Sequence, residues 1–498
     1  MKRNHFDLSH NIDLTMKMGQ LVPCMIEETL PGDKFQGQTA ALVRALPLNA
    51  PVLTPTRIFT HTFYVPNRLI WDDWYDFITG GKDGTSAPVH PYMTSPVGGY
   101  ATKSLADYMG VPPGVAGVKH SALPFRAYAL IYNEFFRDQD LEDELTISTA
   151  SGEDTTTNME LQNVAWEKDE YTLARPWPQR GPQAYLPIAN EAPVMGIGKV
   201  NGTFDNTNQS VRLSDGTTDT FNIAQRLDAG SNTAFAIKGT ASTNGYPEIF
   251  ADLSEASAVS IRDLRITSAF QRYMEVMSMY GARPAEYLRA MFGVKSPDAR
   301  LMRPEYIAGG IDTLQWSEVL QTAPSTDAPV GALKGHGIAA MRSNRFRYYF
   351  VEHGIVITLM SVKPKTLYTQ GLSTMYLRET KEDYFTPMFQ HVGMEEIKNA
   401  EVFVDGTSAD SNTFGYRPRY NSYRSARSRV AGDLRDLLDY WHLGRVFESR
   451  PALNADFVKA NPSSRIFADL EGDQMIVTCY NKISALRPVA KRADYRLL

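Results

Sequence analysis

Arginine alternates with aromatic residues in one stretch of the chain. Residues Phe414–Arg429 read FGYRPRYNSYRSARSR, with Arg417, Arg419, Arg424, Arg427 and Arg429 among Phe414, Tyr416, Tyr420 and Tyr423. Guanidinium groups grip phosphates and aromatic rings stack on bases with little sequence preference, so the stretch suits single-stranded nucleic acid. Arg and Tyr are also enriched at subunit interfaces, and composition divides the two readings about evenly. The candidate nucleic-acid contacts are Arg417, Arg419, Tyr420, Tyr423, Arg424, Arg427 and Arg429. Lys491 and Arg492 add a small basic tail that carries the same two readings.

Catalytic constellations are harder to find. The chain has no GxSxG elbow, no Walker A loop, no GxGxxG turn after a strand and no HExxH pair. Acidic clusters stand at Asp72–Asp73–Asp76, Glu142–Asp143–Glu144 and Glu395–Glu396. Paired carboxylates can cleave glycosides, but only at a fixed separation. Helix N-termini or solvated faces are the reading that charge pattern favours. No EF-hand spacing supports a calcium site. His353 falls inside a strand pattern and reads as a packed histidine. Neither a cofactor nor a metal is expected.

The elements that would position these residues alternate irregularly. Phe35–Leu48 is strand material, and Thr56–Val65 alternates as a half-buried strand does. Asn67 then opens a short helix with Trp71, Trp74, Tyr75 and Ile78, closed by Gly80 and Gly81. Leu123–Leu141 is a second helix, with Tyr128, Ile131, Tyr132 and Phe135 on one stripe. Ser260 and Asp263 form a capping-box pattern before a long helix to Met279, with Phe270, Tyr273, Met274 and Met277 on its apolar face. Gly281 and Pro284 separate it from a helix at Ala285–Phe292. Asn344–Val362 is the strongest strand signal, and its GIVITLMSV run has the character of a strand covered on both faces. Ile476–Ile483 is the last strand. A doubly wound sheet would show a steadier rhythm. A β sandwich with long insertions fits better.

Between these elements lies Asn190–Pro247, rich in Gly, Asn, Thr, Ser and Asp. It reads as an exposed insertion with small β hairpins, with short strand-like pieces such as Phe221–Ile223 and Ala234–Ile237. The division expected is 1–189, the first part of the body; 190–250, a surface insertion; and 251–498, the rest of the body.

Bulk composition narrows the class. The chain has 498 residues, 43% hydrophobic and 21% charged, which excludes bulk disorder. Its formal net charge of −5 argues against a wholly basic nucleic-acid-coating protein but leaves room for a local basic patch. Cys24 and Cys479 are the only cysteines, so a disulfide framework and a cysteine zinc site are out; one long-range disulfide stays open, and two buried free thiols are the reading favoured. MKRNHFDLSH has no apolar h-region, so no secretory signal is expected. The longest apolar run is far too short to span a bilayer, so no integral membrane protein is expected.

Several strings resemble the major capsid proteins of microviruses, especially the gokushovirus-like branch. They are FDLSHNIDLTMKMGQLVPCMIEETLPGDKF from Phe6, FYVPNRLIWDDWYDFITGG from Phe63, LPFRAYALIYNEFFRDQDL from Leu123, PWPQRGP from Pro176, FGVKSPDARLMRPEYIAGG from Phe292, EHGIVITLMSVKPKTLYTQGL from Glu352, and Phe414–Arg424. They run in family order to about residue 430. The Arg/Tyr segment is richer in arginine than the family pattern.

The resemblance implies a mainly β fold, an antiparallel viral jelly roll with long inserted loops and several helices. It implies a structural, non-enzymatic coat protein. Sixty copies would self-assemble into a T=1 icosahedral capsid around a circular single-stranded DNA genome. The partners implied are further copies of the chain, that DNA, accessory or scaffolding phage proteins and a host cell surface receptor. The place implied is the virion, assembled in the bacterial host cytoplasm. The insertion would be the three-fold protrusion that meets the host, through polar residues such as Asn201, Asn208, Asp215, Asn232 and Asn244. One rival reading is a jelly-roll carbohydrate-binding protein or hydrolase, which exposed tryptophans and a carboxylate pair would support; a second is a single-stranded-nucleic-acid-binding module built around Phe414–Arg429, against which the net charge of −5 argues.

Overall fold

The computed structural model describes residues 3–182, 261–281, 283–320 and 333–491, together with the backbone of short strands between residues 194 and 251. The chain divides into two compact units, one of residues 1–180 with 275–498 and one of residues 181–274. In the smaller unit, Gln209–Arg212 pairs antiparallel with Thr218–Phe221, and Phe235–Ile237 with Ile197–Lys199.

Antiparallel strands build the larger unit. They are β1 (Asn4–Asp7), β2 (His10–Met16), β3 (Val22–Thr29), β4 (Lys34–Ala45), β5 (Thr56–Pro66), β6 (Glu305–Leu320), β7 (Leu333–Arg342), β8 (Phe346–Tyr349), β9 (Gly354–Pro364), the ribbon strands β10 (Met394–Lys398) and β11 (Thr413–Pro418), and β12 (Met475–Arg487). Ten of them join in one curled sheet of order β1–β12–β4–β7–β6–β5–β9–β3, with β2 also on β12 and β8 also on β4. The long β6 makes the corner. Glu305–Leu314 pairs with β5, and Gln315–Leu320 pairs with β7. The sheet thereby folds into two layers, β2–β12–β4–β7 and β6–β5–β9–β3, which is the arrangement of a jelly roll. Two connections carry nearly everything else, residues 67–304 between β5 and β6 and residues 365–474 between β9 and β12.

The core lies between the layers. Val43, Met341, Met475 and Val477 from one layer meet Ile58, Leu314, Met360 and Val362 from the other. Both Cys24 and Cys479 sit in this core as free thiols. Their mutual hydrogen bond and their burial push the Cys24 thiol well above its ordinary range. Cys24 is the extra residue of a β-bulge, because Thr358 faces Met25 while Leu359 faces Pro23. The Cys24 carbonyl takes a hydrogen bond from the Asn481 side chain at 2.7 Å, and Asn481 accepts one from Thr39 at 2.9 Å. This buried polar chain ties β3 to β12 and β4 across the sandwich.

A second core explains the unbroken apolar run of β9. Val356, Met360 and Val362 point into the sandwich, whereas Ile355, Ile357 and Leu359 point outward onto a helical layer with Trp71, Phe125, Tyr128 and Ile131. The sheet is covered on both faces, as its sequence pattern requires.

The helices depart from the sequence expectation in detail. A 3-10 turn at Asn67–Leu69 precedes the separate helix α1 (Trp74–Thr79), which ends on left-handed Gly80. Helix α2 (Leu123–Ile131) continues as a π turn, Tyr132–Phe136, and stops at extended Arg137, short of Leu141. Arg283, just before α4 (Pro284–Phe292), donates to the Asn133 carbonyl at 2.6 Å and so satisfies the π turn from outside. Arg126 of α2 is wholly buried. It pairs with Asp154 at 2.7 Å and donates to the carbonyls of Ile70 and Ala150. The long helix α3 (Ile261–Tyr280) forms, but of its expected stripe only Met274 and Met277 are buried; Phe270 and Tyr273 are exposed. Ser260, the cap proposed for it, lies outside the described residues. The single strand expected over Asn344–Val362 is two, β8 and β9, broken where Phe350 turns inward to pack on Phe35 and Tyr64.

Candidate nucleic-acid interface

The Arg/Tyr segment begins on the β10–β11 ribbon, where Glu395 faces Arg417 across the pair. Phe414 anchors the ribbon in a small core with Tyr171, Tyr368, Ile397 and Phe457. Tyr416 exchanges two backbone hydrogen bonds with Arg175, so residue 175 acts as a third strand.

Arg417 is 1% exposed. Its guanidinium meets Glu395 at 2.8 Å, Glu401 at 2.7 Å and Glu170 at 3.1 Å, and it also donates to Thr374 at 3.3 Å. Burial by itself would lower its pKa, but Glu401 and Glu395 outweigh burial and hold it above the ordinary value. Burial pushes the Glu170 carboxyl up, against the pull of Arg417. One cation therefore serves three carboxylates inside the subunit. Glu395 belongs to this cluster and not to a solvated face. Glu142 is likewise buried, bonded to Tyr132 and near Lys459, contrary to the solvated-face expectation.

Tyr420 sits in the left-handed region at φ 62°. Its N–H donates to Glu395 at 2.8 Å, and its hydroxyl reaches the carbonyls of Glu382 and Tyr384. Arg419 donates to the Glu382 carbonyl and stacks over Tyr420 and Phe389. Arg427 donates to the carbonyls of Gly371, Leu372 and Glu401 and lies over the Tyr171 ring. These four side chains lace the loops of residues 371–401 onto the ribbon. Tyr423 is exposed, with Arg378 4.2 Å above its ring. Arg424 and Arg429 are exposed, and neither side chain has a hydrogen-bond or ion-pair partner among the described residues.

The rival site has little to stand on. None of the six tryptophans is exposed, and Trp71 and Trp74 are buried against each other. Asp72 and Asp73 accept hydrogen bonds from Thr149 and Ser151. His353 packs on the Trp74 ring. No group of three or more His, Cys, Asp or Glu among the described residues could hold a metal ion. No described helix is long and apolar enough to cross a membrane. The insertion residues Asn201, Asn208, Asp215, Asn232 and Asn244 all lie outside the described residues.

Sequence reasoning passed over a second basic surface, on the solvent side of β4, β7 and β12, where Arg342, Arg345, Arg347 and Lys482 stand among exposed polar residues. Period-two alternation was the available signal, since every second residue from Met475 to Ala485 is buried.

Comparison with known proteins extends over nearly the whole chain. Residues 1–494 match the family described as Capsid protein (F protein). Capsid protein VP1 of Bdellovibrio phage phiMH2K is 36% identical, over 92% of this chain and 88% of its own length. Capsid protein VP1 of Chlamydia phage 1 is 32% identical, over 98% and 94%. Capsid protein VP1 of Spiroplasma virus 4 is 30% identical, over 92% and 87%.

Proposed function

The chain belongs to the Capsid protein (F protein) family of phages, and we propose that sixty copies of it form a T=1 icosahedral shell around a circular single-stranded DNA genome. A structural coat role in the virion follows from the family. The geometry, the number of copies and the enclosed DNA are our reading. So are assembly in the bacterial cytoplasm with accessory or scaffolding proteins and the absence of an enzymatic role. The observation that carries the reading is an end-to-end family match on a two-layer antiparallel body, with 238 residues inserted at one connection and 110 at the other. Large insertions give such a body the surface it needs to meet several neighbours, and closure of many contacts around a symmetric shell gives collective stability.

Within the Arg/Tyr segment we assign external contact to Tyr423, Arg424 and Arg429, because these three are exposed while Arg417, Arg419, Tyr420 and Arg427 are held by partners in their own subunit. We assign residues 190–250 to a surface insertion that meets the host receptor; its polar composition supports this. Enclosure is tested by nuclease protection. Particles made in the presence of circular single-stranded DNA should shield it from a single-strand-specific nuclease, and digestible DNA would count against enclosure. Replacing residues 190–247 with a short Gly/Ser bridge should leave assembly intact and impair adsorption. Loss of folding would place the segment in the core.

A further inference from the structure

We propose that the solvent face of the β2–β12–β4–β7 layer is a platform for the backbone of single-stranded nucleic acid; the proposal rests on the coat-protein reading and names a surface for it. Strand alternation builds this face. Met475, Val477, Cys479, Ile483 and Ala485 of β12 point into the core, which turns Tyr480 and Lys482 outward. Phe35, Ala41 and Val43 do the same for β4, turning out Gln36 and Gln38.

Register brings the outward residues into rows. Tyr480 pairs with Ala40, which pairs with Arg342. Lys482 pairs with Gln38, which accepts from Arg345 at 3.4 Å. Gln36 pairs with Arg347 and accepts from it at 3.3 Å. Three arginines thus run down one flank of β4, and Tyr480 and Lys482 run down the other. Strands lie about 4.8 Å apart, so the flanks are roughly 10 Å from each other. Between them is a groove of about 460 Å³.

The charge on this face is one-sided. Arg342, Arg345 and Arg347 have no carboxylate partner among the described residues, whereas Lys482 feels the Asp7 carboxylate without forming an ion pair with it. Asp7 and Asp13 share this face, out on β1 and β2. Asp7 is taken up by the N–H and hydroxyl of Ser9. A chain of net charge −5 has therefore gathered three arginines without carboxylate partners, and a lysine, around an aromatic ring and two amide side chains. Phosphates fit the cations, and Tyr480 offers a π face to a base without selecting its identity. The face of the other layer is unavailable, because helix α2 and its neighbours cover it.

The test uses the full-length chain and a fluorescein-labelled 20-nucleotide oligothymidylate, with binding read by anisotropy across a sodium chloride series. The variant R342Q/R345Q/K482Q should show a log–log salt slope shallower by about 2, at roughly 0.7 per lost phosphate contact. Y480A should weaken binding on the order of tenfold and keep the slope. All four side chains are exposed, so far-ultraviolet circular dichroism should match the parent. A triple variant with the parental slope overturns the proposal, as does a parent chain that does not bind the oligonucleotide. A triple variant that no longer forms particles yet binds with the parental slope makes the face a contact between copies and also overturns it. Failure here with shells still forming leaves the coat reading intact. Binding that follows the prediction from a chain that never forms shells removes the sixty-copy shell reading and keeps the face.

Discussion

Replacing Arg417 with Met separates an internal role for the Arg/Tyr segment from a DNA-contacting one. The substitution removes the one guanidinium that Glu170, Glu395 and Glu401 share, at 3.1, 2.8 and 2.7 Å. At an effective dielectric near 20, a pair of charge centres about 4 Å apart is worth about 4 kcal/mol before desolvation. Removing one member of a buried pair costs about 3–5 kcal/mol, because the remaining charge stays buried. The opening free energy of the β10–β11 ribbon should therefore fall by about 4 kcal/mol, and its amides should exchange about a thousandfold faster. Hydrogen-exchange mass spectrometry on peptides spanning 394–418 reads this directly, with β5 and β9 as unaffected controls. The deficit has a sign in pH. Without the cation, burial pushes the Glu170 carboxyl, already raised, further above its unfolded value. Protonation then favours the folded variant, and the deficit shrinks as pH falls from 7 toward 5. Adding Glu401→Gln should recover part of the loss at pH 7. If exchange of the ribbon is unchanged while the salt slope of DNA binding drops by about 0.7, the internal role is refuted.

Three further outcomes follow from the buried polar groups. Burial, assisted by Lys363, lowers the His61 pKa to about 4, so the unfolded chain takes up a proton between about pH 6.5 and 4 and the folded chain does not. Stability should fall by about 3 kcal/mol across that window, and His61→Phe should flatten the dependence of the denaturant midpoint on pH. Arg126→Met leaves Asp154 unpaired and the carbonyls of Ile70 and Ala150 without a donor. It should cost about 3–5 kcal/mol in denaturant unfolding, and Asp154→Leu in the same chain should restore part of that; an unchanged midpoint for Arg126→Met would refute the reading. Asn481→Ala orphans the Cys24 carbonyl at the bulge and should cost about 1–3 kcal/mol, seen as a lower melting temperature of the unassembled subunit.

The body of the fold was legible where one periodicity dominates. Thr56–Val65 and Ile476–Ile483 appear as β5 and β12, and the run GIVITLMSV indicated a strand covered on both faces, which the two cores on either side of β9 explain. The break after Tyr349 was not legible, because Phe350 continues the apolar pattern while its backbone bonds to Gly32 and Asp33 and its ring packs edge-on against Phe35. The end of α2 was not legible either. Arg137 is turned out of the helix, and Asp138 and Asp140 pair with Lys168, Arg175 and Arg180, some 30 residues or more away. The Arg/Tyr segment shows why composition could not sort its arginines. Five residues of one type lie within 13 positions, yet Arg417 is buried against three carboxylates while Arg424 and Arg429 face solvent. Their sorting depends on Glu170, Glu395 and Glu401, which the fold brings together from two distant places in the chain. The basic face of β4, β7 and β12 was missed for the same reason, since its cations come from strands more than a hundred residues apart.

The most direct test of the coat-protein account is the mass of the assembled species, measured by light scattering with negative-stain microscopy on purified protein supplied with DNA and accessory phage proteins. Sixty copies of a 55.7 kDa chain predict closed, round particles whose protein mass is about 3.3 MDa. A chain that stays monomeric under those conditions, with its fold intact, would contradict the account.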